Sequence, residues 1–162
     1  ICWVSISCSW RPMLDTPEFT QRAALTCALA FDVGGRRTGV AVGNSLSGTA
    51  RGIAVLPMKD DLPEWHLVER LIAEWNASVL VVGEPLTLDG EAQHATHRAR
   101  QFANQLKSRF QLPVVMVDER STSREADRRF AERRRAGTAR RRDSALLDAD
   151  AAAIILERWL NR

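Results

Sequence analysis

Apolar and polar positions follow two rhythms along this chain. Short apolar runs bounded by Gly, Asp or Pro predict strands, and apolar residues every third or fourth position predict helices. Ala28 to Phe31 is such a run; it ends on Asp32, and Val33-Gly34-Gly35 turns the chain. Thr38 to Gly43 and Gly52 to Leu56 predict a second and a third strand, and turn-length connections make the three an antiparallel meander. Asp60 or Asp61 is suited to cap a helix, with Pro63 near its first position. Trp65, Val68, Leu71, Ile72 and Trp75 then recur at helical spacing. Val79 to Val82 predicts a buried strand ended by Gly83-Glu84-Pro85, and a helix follows from about Gln93 to Phe110. Val114 to Val117 is the fifth strand, ending in Asp118-Glu119-Arg120. Thr122-x-x-Glu125 is a capping box that opens another helix, which Gly137 ends. The last helix is predicted from Ser144 to Leu160.

The order β-β-β-α-β-α-β-α-α predicts an α/β fold, a mixed sheet with helices on its faces. Residues 25–162 read as a single domain. Residues 1–24 read as a disordered or loosely attached extension, consistent with an over-long start and Met13 as the natural first residue. Cys2, Cys8 and Cys27 are odd in number and form no C-x-x-C pair, so neither a disulfide framework nor a zinc site follows, and a reducing cytoplasm is expected. No stretch approaches the roughly 18 apolar residues of a membrane span, so no membrane partner is expected.

Charge changes the picture more than composition does. The net charge is only +3. Yet the segment from Arg124 to Arg142 holds nine Arg against Glu125, Asp127 and Glu132, so one basic stretch sits on an otherwise slightly acidic protein. A local anionic partner is implied, nucleic acid first among the candidates. A solvated helix face with internal ion pairs is the plainer alternative. Phe130 is the one aromatic in the run, so base stacking is not suggested there.

Three acids occupy unusual places. Asp32 and Glu119 stand where predicted strands stop, which is where sites form in open α/β sheets. The third comes from the last helix. At about 100° per residue from Leu147, the residues Ala151, Ile155, Trp159 and Ala152 fall between about 40° and about 140°. Asp148 falls among them at about 100°, whereas Asp150 lies at about 300° on the polar side with Glu157. A carboxylate in a buried stripe is costly unless it is paired, protonated or bound to metal. For Asp148 the alternative is a buried salt bridge to an Arg; for Asp32, a turn or cap; for Glu119, a surface pair with Arg120. Taken together, a cluster of carboxylates calls for a hard cation, Mg²⁺ or Mn²⁺, and such ions support phosphodiester hydrolysis. His94 and His97 have no evident third ligand and read as surface residues.

Four motifs carry a family resemblance. F-D-V-G-G-R-R-T-G-V-A-V-G (Phe31 to Gly43) resembles the opening D-x-G-x-K-R-x-G-V-A of the YqgF/RuvX family of pre-16S rRNA nucleases, the Holliday-junction-resolvase-like proteins. V-V-G-E-P-L-T-L-D-G (Val81 to Gly90), V-D-E-R-S-T-S (Val117 to Ser123) and L-D-A-D-A-A-A-I-I-L (Leu147 to Leu156) resemble its later motifs, in order. The resemblance implies an RNase H-like fold, a five-stranded sheet of order 3-2-1-4-5 with strand 2 antiparallel. It places the catalytic acids and metal ligands on Asp32, Glu119 and Asp148. It implies a cytoplasmic nuclease acting on the 5′ end of pre-16S rRNA. Glu84 stands where the family usually has Leu; it is an alternative metal ligand, or an exposed acid that is merely tolerated. Asp143-Ser144-Ala145 replaces the family's N-K-G, so Arg140 and Arg141 are candidates to take over phosphate contact. Arg36, Arg37, Arg120, Arg133 and Arg134 complete the expected nucleic-acid contacts.

The partner is then RNA or structured DNA, and the protein a monomer or homodimer. A branched-DNA resolvase and a non-catalytic RNA-binding factor are the alternatives. An actin-like phosphotransferase also opens with D-x-G-x-x-x-x-G, but needs two such lobes and more than twice this length.

Overall fold

The computed structural model describes residues 26–87, 92–119 and 144–162. In chain order the elements are β1 (Cys27–Val33), β2 (Arg37–Asn44), β3 (Ala50–Lys59), β4 (Leu62–Pro63), α1 (Trp65–Trp75), β5 (Val79–Glu84), α2 (His94–Phe110), β6 (Val114–Asp118) and α3 (Ser144–Leu160). The strands form one sheet in the order β4-β3-β2-β1-β5-β6. β2 is antiparallel to both β1 and β3, while β5 is parallel to β1 and to β6. The expected order of the five main strands is therefore present. The helix expected between Thr122 and Gly137 and the extension at 1–24 lie outside the described residues.

The sixth strand is a correction. Asp60 and Asp61 do not cap a helix; both take left-handed backbone angles, φ 52 and 61, and form the two-residue turn between Lys59 and Leu62. Short polar side chains tolerate that conformation, which a tight hairpin requires. Pro63 sits in the edge strand, where its missing N–H leaves no central ladder bond unmade. Glu64 occupies the N-cap position of α1, with no side-chain capping hydrogen bond.

Alternation along the strands divides the core. Leu29, Phe31, Val33, Val40, Leu80 and Val82 pack with α1 and α2, centred on Phe102, whose ring lies 5.4 Å from Phe31 and 5.7 Å from Trp65. Ala28, Ala30, Ala41, Val81 and Val117 face α3. That second face is lined by small residues, which lets α3 lie unusually close. A Cβ added at Gly39 would overlap the Asp148 carbonyl, and one at Gly52 would come 2.6 Å from the Ala149 methyl.

The buried face of α3 overlaps the expected stripe only in part. Ala152 and Ile155 of that stripe are buried, together with Ala149, Ala153, Ile154 and Leu156, whereas Leu147, Ala151 and Trp159 are only half-buried. The small residues nest on a glycine- and alanine-lined sheet. Asp150 is consequently not on a solvent face; it is half-buried and its Oδ2 is shielded.

Candidate active site

The site forms at one end of the sheet, on the α3 face. Asp32 follows Ala28 and Ala30 in the alternation, so its side chain faces α3 from within β1. It is one residue inside the strand, not beyond it, and its register partner across β2 is Gly39. Gly39 is also where the α3 backbone touches the sheet, at the Asp148 carbonyl. A single glycine therefore brings two acids from elements more than a hundred residues apart to the same point. Glu119 follows β6 immediately, two residues after inward-facing Val117, and its N–H donates to the Glu84 carbonyl at 3.0 Å. Its carboxylate fills the space above Gly83, where an added Cβ would overlap it and would meet Ile155 Cδ1 at 2.7 Å.

Burial raises all three acids, and repulsion from neighbouring carboxylates adds to it at Asp32 and Glu119. Burial, with Asp148 adding repulsion, pushes Asp32 from its ordinary 3.8 to about 6. Glu119 is pushed from 4.5 to about 8 by burial first, then by Asp32 and Asp118, against the opposing pull of Arg158. Burial also raises Asp148, although Arg37 draws it down. Arg37 Nε lies 3.2 Å from Asp148 Oδ2. Arg158 Nη1 donates to the Asp118 carbonyl at 3.0 Å and so holds the end of β6 beside Glu119.

Glu119 Oε1 is buried and has no hydrogen-bond partner among the described residues. A buried carboxylate oxygen left in that state is costly unless something positive joins it. Among the described residues, no three His, Cys, Asp or Glu side chains form a ready-made metal cage. The all-oxygen donor set nevertheless suits a hard cation, whose charge would offset the repulsion among the acids.

The alternatives for each residue now separate. Asp32 is a buried strand residue and not a turn cap. Glu119 is not a surface acid. Asp148 is paired with Arg37, the salt bridge that was its alternative, and it also neighbours Asp32. Glu84 takes neither of its readings. It is out of phase with Gly83 and so lies on the opposite face, where Arg100 Nε of α2 donates to its Oε1 at 2.6 Å; its side chain is 18% exposed. Arg36 is exposed on the β1–β2 turn, and His94 and His97 are exposed on α2. Arg120, Arg133, Arg134, Arg140 and Arg141 lie outside the described residues. Sequence reasoning missed Gly39, Gly83 and Arg158. The two glycines carried a signal, because a glycine inside a strand pattern often marks close backbone approach. Arg158 carried none, since its role depends on where α3 crosses the end of β6.

The chain is similar to known proteins of one family. A family model described as "RuvX: Holliday junction resolvase" matches residues 26–162. A relative from Xanthomonas oryzae pv. oryzae (strain PXO99A), named "Putative pre-16S rRNA nuclease", is 54% identical over 132 residues, 82% of this chain and 85% of the relative. One of the same name from Xanthomonas campestris pv. campestris (strain B100) is 53% identical over 133 residues, 82% of this chain and 86% of that protein. Among solved structures, T. thermophilus RuvC in complex with Holliday junction substrate superposes with a TM-score of 0.50 at 17% identity, covering 84% of this chain and 94% of that one. That likeness concerns the fold, which is RNase H-like.

Proposed function

This chain belongs to the RuvX family, and from that premise we propose that it is a nuclease hydrolysing phosphodiester bonds, with the 5′ end of pre-16S rRNA as substrate during ribosome biogenesis in the cytoplasm. The observation that carries the reading is the meeting of Asp32, Glu119 and Asp148 on one face, with Glu119 Oε1 buried and unpartnered among the described residues. The names of the relatives support the substrate. Residues 25–162 form the nuclease domain.

Asp32, Glu119 and Asp148 would hold Mg²⁺ or Mn²⁺. Such an ion supplies Lewis-acid stabilisation of phosphoryl oxygens and lowers the pKa of bound water. The chain's own contribution is to hold its donors in place. β1 is a buried central strand, β6 pairs with β5 along its length, and α3 is seated by Gly39 and Gly52, so the elements that present the three acids are fixed. Their burial keeps the carboxylates weakly solvated and eager for a cation. Arg36 and Arg37, both exposed, would take phosphate oxygens, with Arg's planar fork suited to bidentate contact. Arg120, Arg133, Arg134, Arg140 and Arg141 would extend that contact along the nucleic acid.

The test is cleavage. Pre-16S rRNA and a four-way DNA junction are incubated with the protein and Mn²⁺, beside Asp32→Asn and Asp148→Asn. Wild type should cut the RNA at a defined 5′ position, and both variants should lose at least about 100-fold in rate. Cutting of the junction alone would move the reading to a branched-DNA resolvase. Equal products from wild type and variants would leave a binding factor without turnover.

A further inference from the structure

Arg37 occupies a place that phosphate recognition alone does not explain. It opens β2 two residues before Gly39, so alternation directs its side chain to the α3 face. There its Nε reaches Asp148 Oδ2 at 3.2 Å. That oxygen is shielded from solvent, yet it accepts no hydrogen bond among the described residues. The contact is one of charge without alignment. The Arg37 side chain is 46% exposed and the Asp148 side chain 32%, so the pair is open to solvent and to an incoming ion. Asp148 also repels Asp32, so Arg37 answers one of two neighbouring acids.

We propose that Arg37 is an exchangeable counter-ion: it neutralises Asp148 while the acids lack a metal, yields that carboxylate to an arriving divalent cation, and then turns to the phosphate of the substrate. This rests on the metal-dependent nuclease reading above. The exchange makes metal and nucleic acid mutually supportive, because each takes over one partner of the same ion pair. It also gives Asp148 a counter-charge while the site is idle. No bond is made or broken; one ion pair is replaced by two.

The experiment is Mn²⁺ titration by calorimetry, without nucleic acid, on the full chain. Wild type is compared with Arg37→Gln, Arg37→Lys, Arg36→Gln and Asp148→Asn with and without Arg37→Gln. Removing a half-exposed competing charge should tighten Mn²⁺ binding roughly three- to five-fold in Arg37→Gln. Arg37→Lys and Arg36→Gln should change it less than about two-fold, because the first keeps a competing charge and the second removes one that does not touch Asp148. The gain from Arg37→Gln should vanish when Asp148 is already Asn. Equal affinity in wild type and Arg37→Gln would overturn the exchange and leave the nuclease reading standing. So would an Arg36→Gln effect as large as that of Arg37→Gln, which would point to general field effects. A wild type that binds no Mn²⁺ at all would overturn the metal-dependent reading and the exchange together.

Discussion

Replacing Asp32 with Asn should make the metal-free protein more stable, and only at higher pH. Folding buries Asp32 beside Asp148 and raises it from 3.8 to about 6. That rise amounts to about 3 kcal/mol against the ionised form, at 1.36 kcal/mol per pH unit. The sign follows from proton counting. Between about pH 4 and about pH 6 the folded chain keeps a proton on Asp32 that the unfolded chain releases. Stability therefore falls as pH rises through that window, and the full loss is present above it. Glu119, raised from 4.5 to about 8, extends the decline towards pH 8. An Asn side chain cannot ionise, so Asp32→Asn should recover part of the loss, about 1–3 kcal/mol at pH 8. For a domain of this size that is a rise in melting temperature of roughly 3–10 °C. Thermal unfolding by circular dichroism in EDTA, at pH 5 and pH 8, measures it. The gap should be wide at pH 8 and only about half as large at pH 5, which lies midway through the window, and saturating Mn²⁺ should stabilise wild type more than the variant. An Asp32→Asn protein no more stable than wild type at pH 8, or one with the same gap at both pH values, would refute the buried-acid argument.

The other predictions concern geometry. Gly39→Ala should push the start of α3 off β2, because its methyl would overlap backbone at Asp148 that cannot rotate aside; we expect a stability loss of about 1–3 kcal/mol by denaturant unfolding and about a 100-fold loss of cleavage. Gly83→Ala meets mainly the mobile tip of Glu119, so its stability cost should stay near about 1 kcal/mol while Mn²⁺ affinity drops; unchanged affinity would count against Glu119 as a ligand. Glu84→Gln breaks the ion pair with Arg100 on the other face of the sheet, and should cost no more than about 1 kcal/mol, with cleavage within about three-fold of wild type. A loss like that of Asp32→Asn would restore Glu84 to the site.

Much of the fold was legible because its strands are short apolar runs with clear punctuation. The meander, the two helix-linked strands and the final helix all stand where periodicity puts them. The edge strand was not legible. Asp60-Asp61-Leu62-Pro63 carries the letters of a helix start as well as those of a hairpin turn, and only the pairing of Met58 with Pro63 chooses between them. The face of α3 was legible only in part: Ala152 and Ile155 are buried as the helical wheel has them, but Ala149 and Ala153, from beyond the stripe, are buried where α3 lies close to the sheet. Asp148 was still singled out, since either face leaves it beside apolar neighbours.

The sequence by itself determined the element order and the three acids that stand apart, because hydrophobic periodicity and strand ends are local properties of the chain. It also determined family membership, through four motifs in order. It could not determine which acids share a site. Glu84 and Glu119 both follow apolar strand runs, yet the pleat sends one to Arg100 and the other to the face of Asp32. Nor could it assign Arg37, whose neighbour Asp148 is remote in the chain and is brought near by the absence of a side chain at Gly39. Tertiary structure decided these matters because contact between distant segments depends on how closely backbones approach, and that distance is written in the packing of both partners at once.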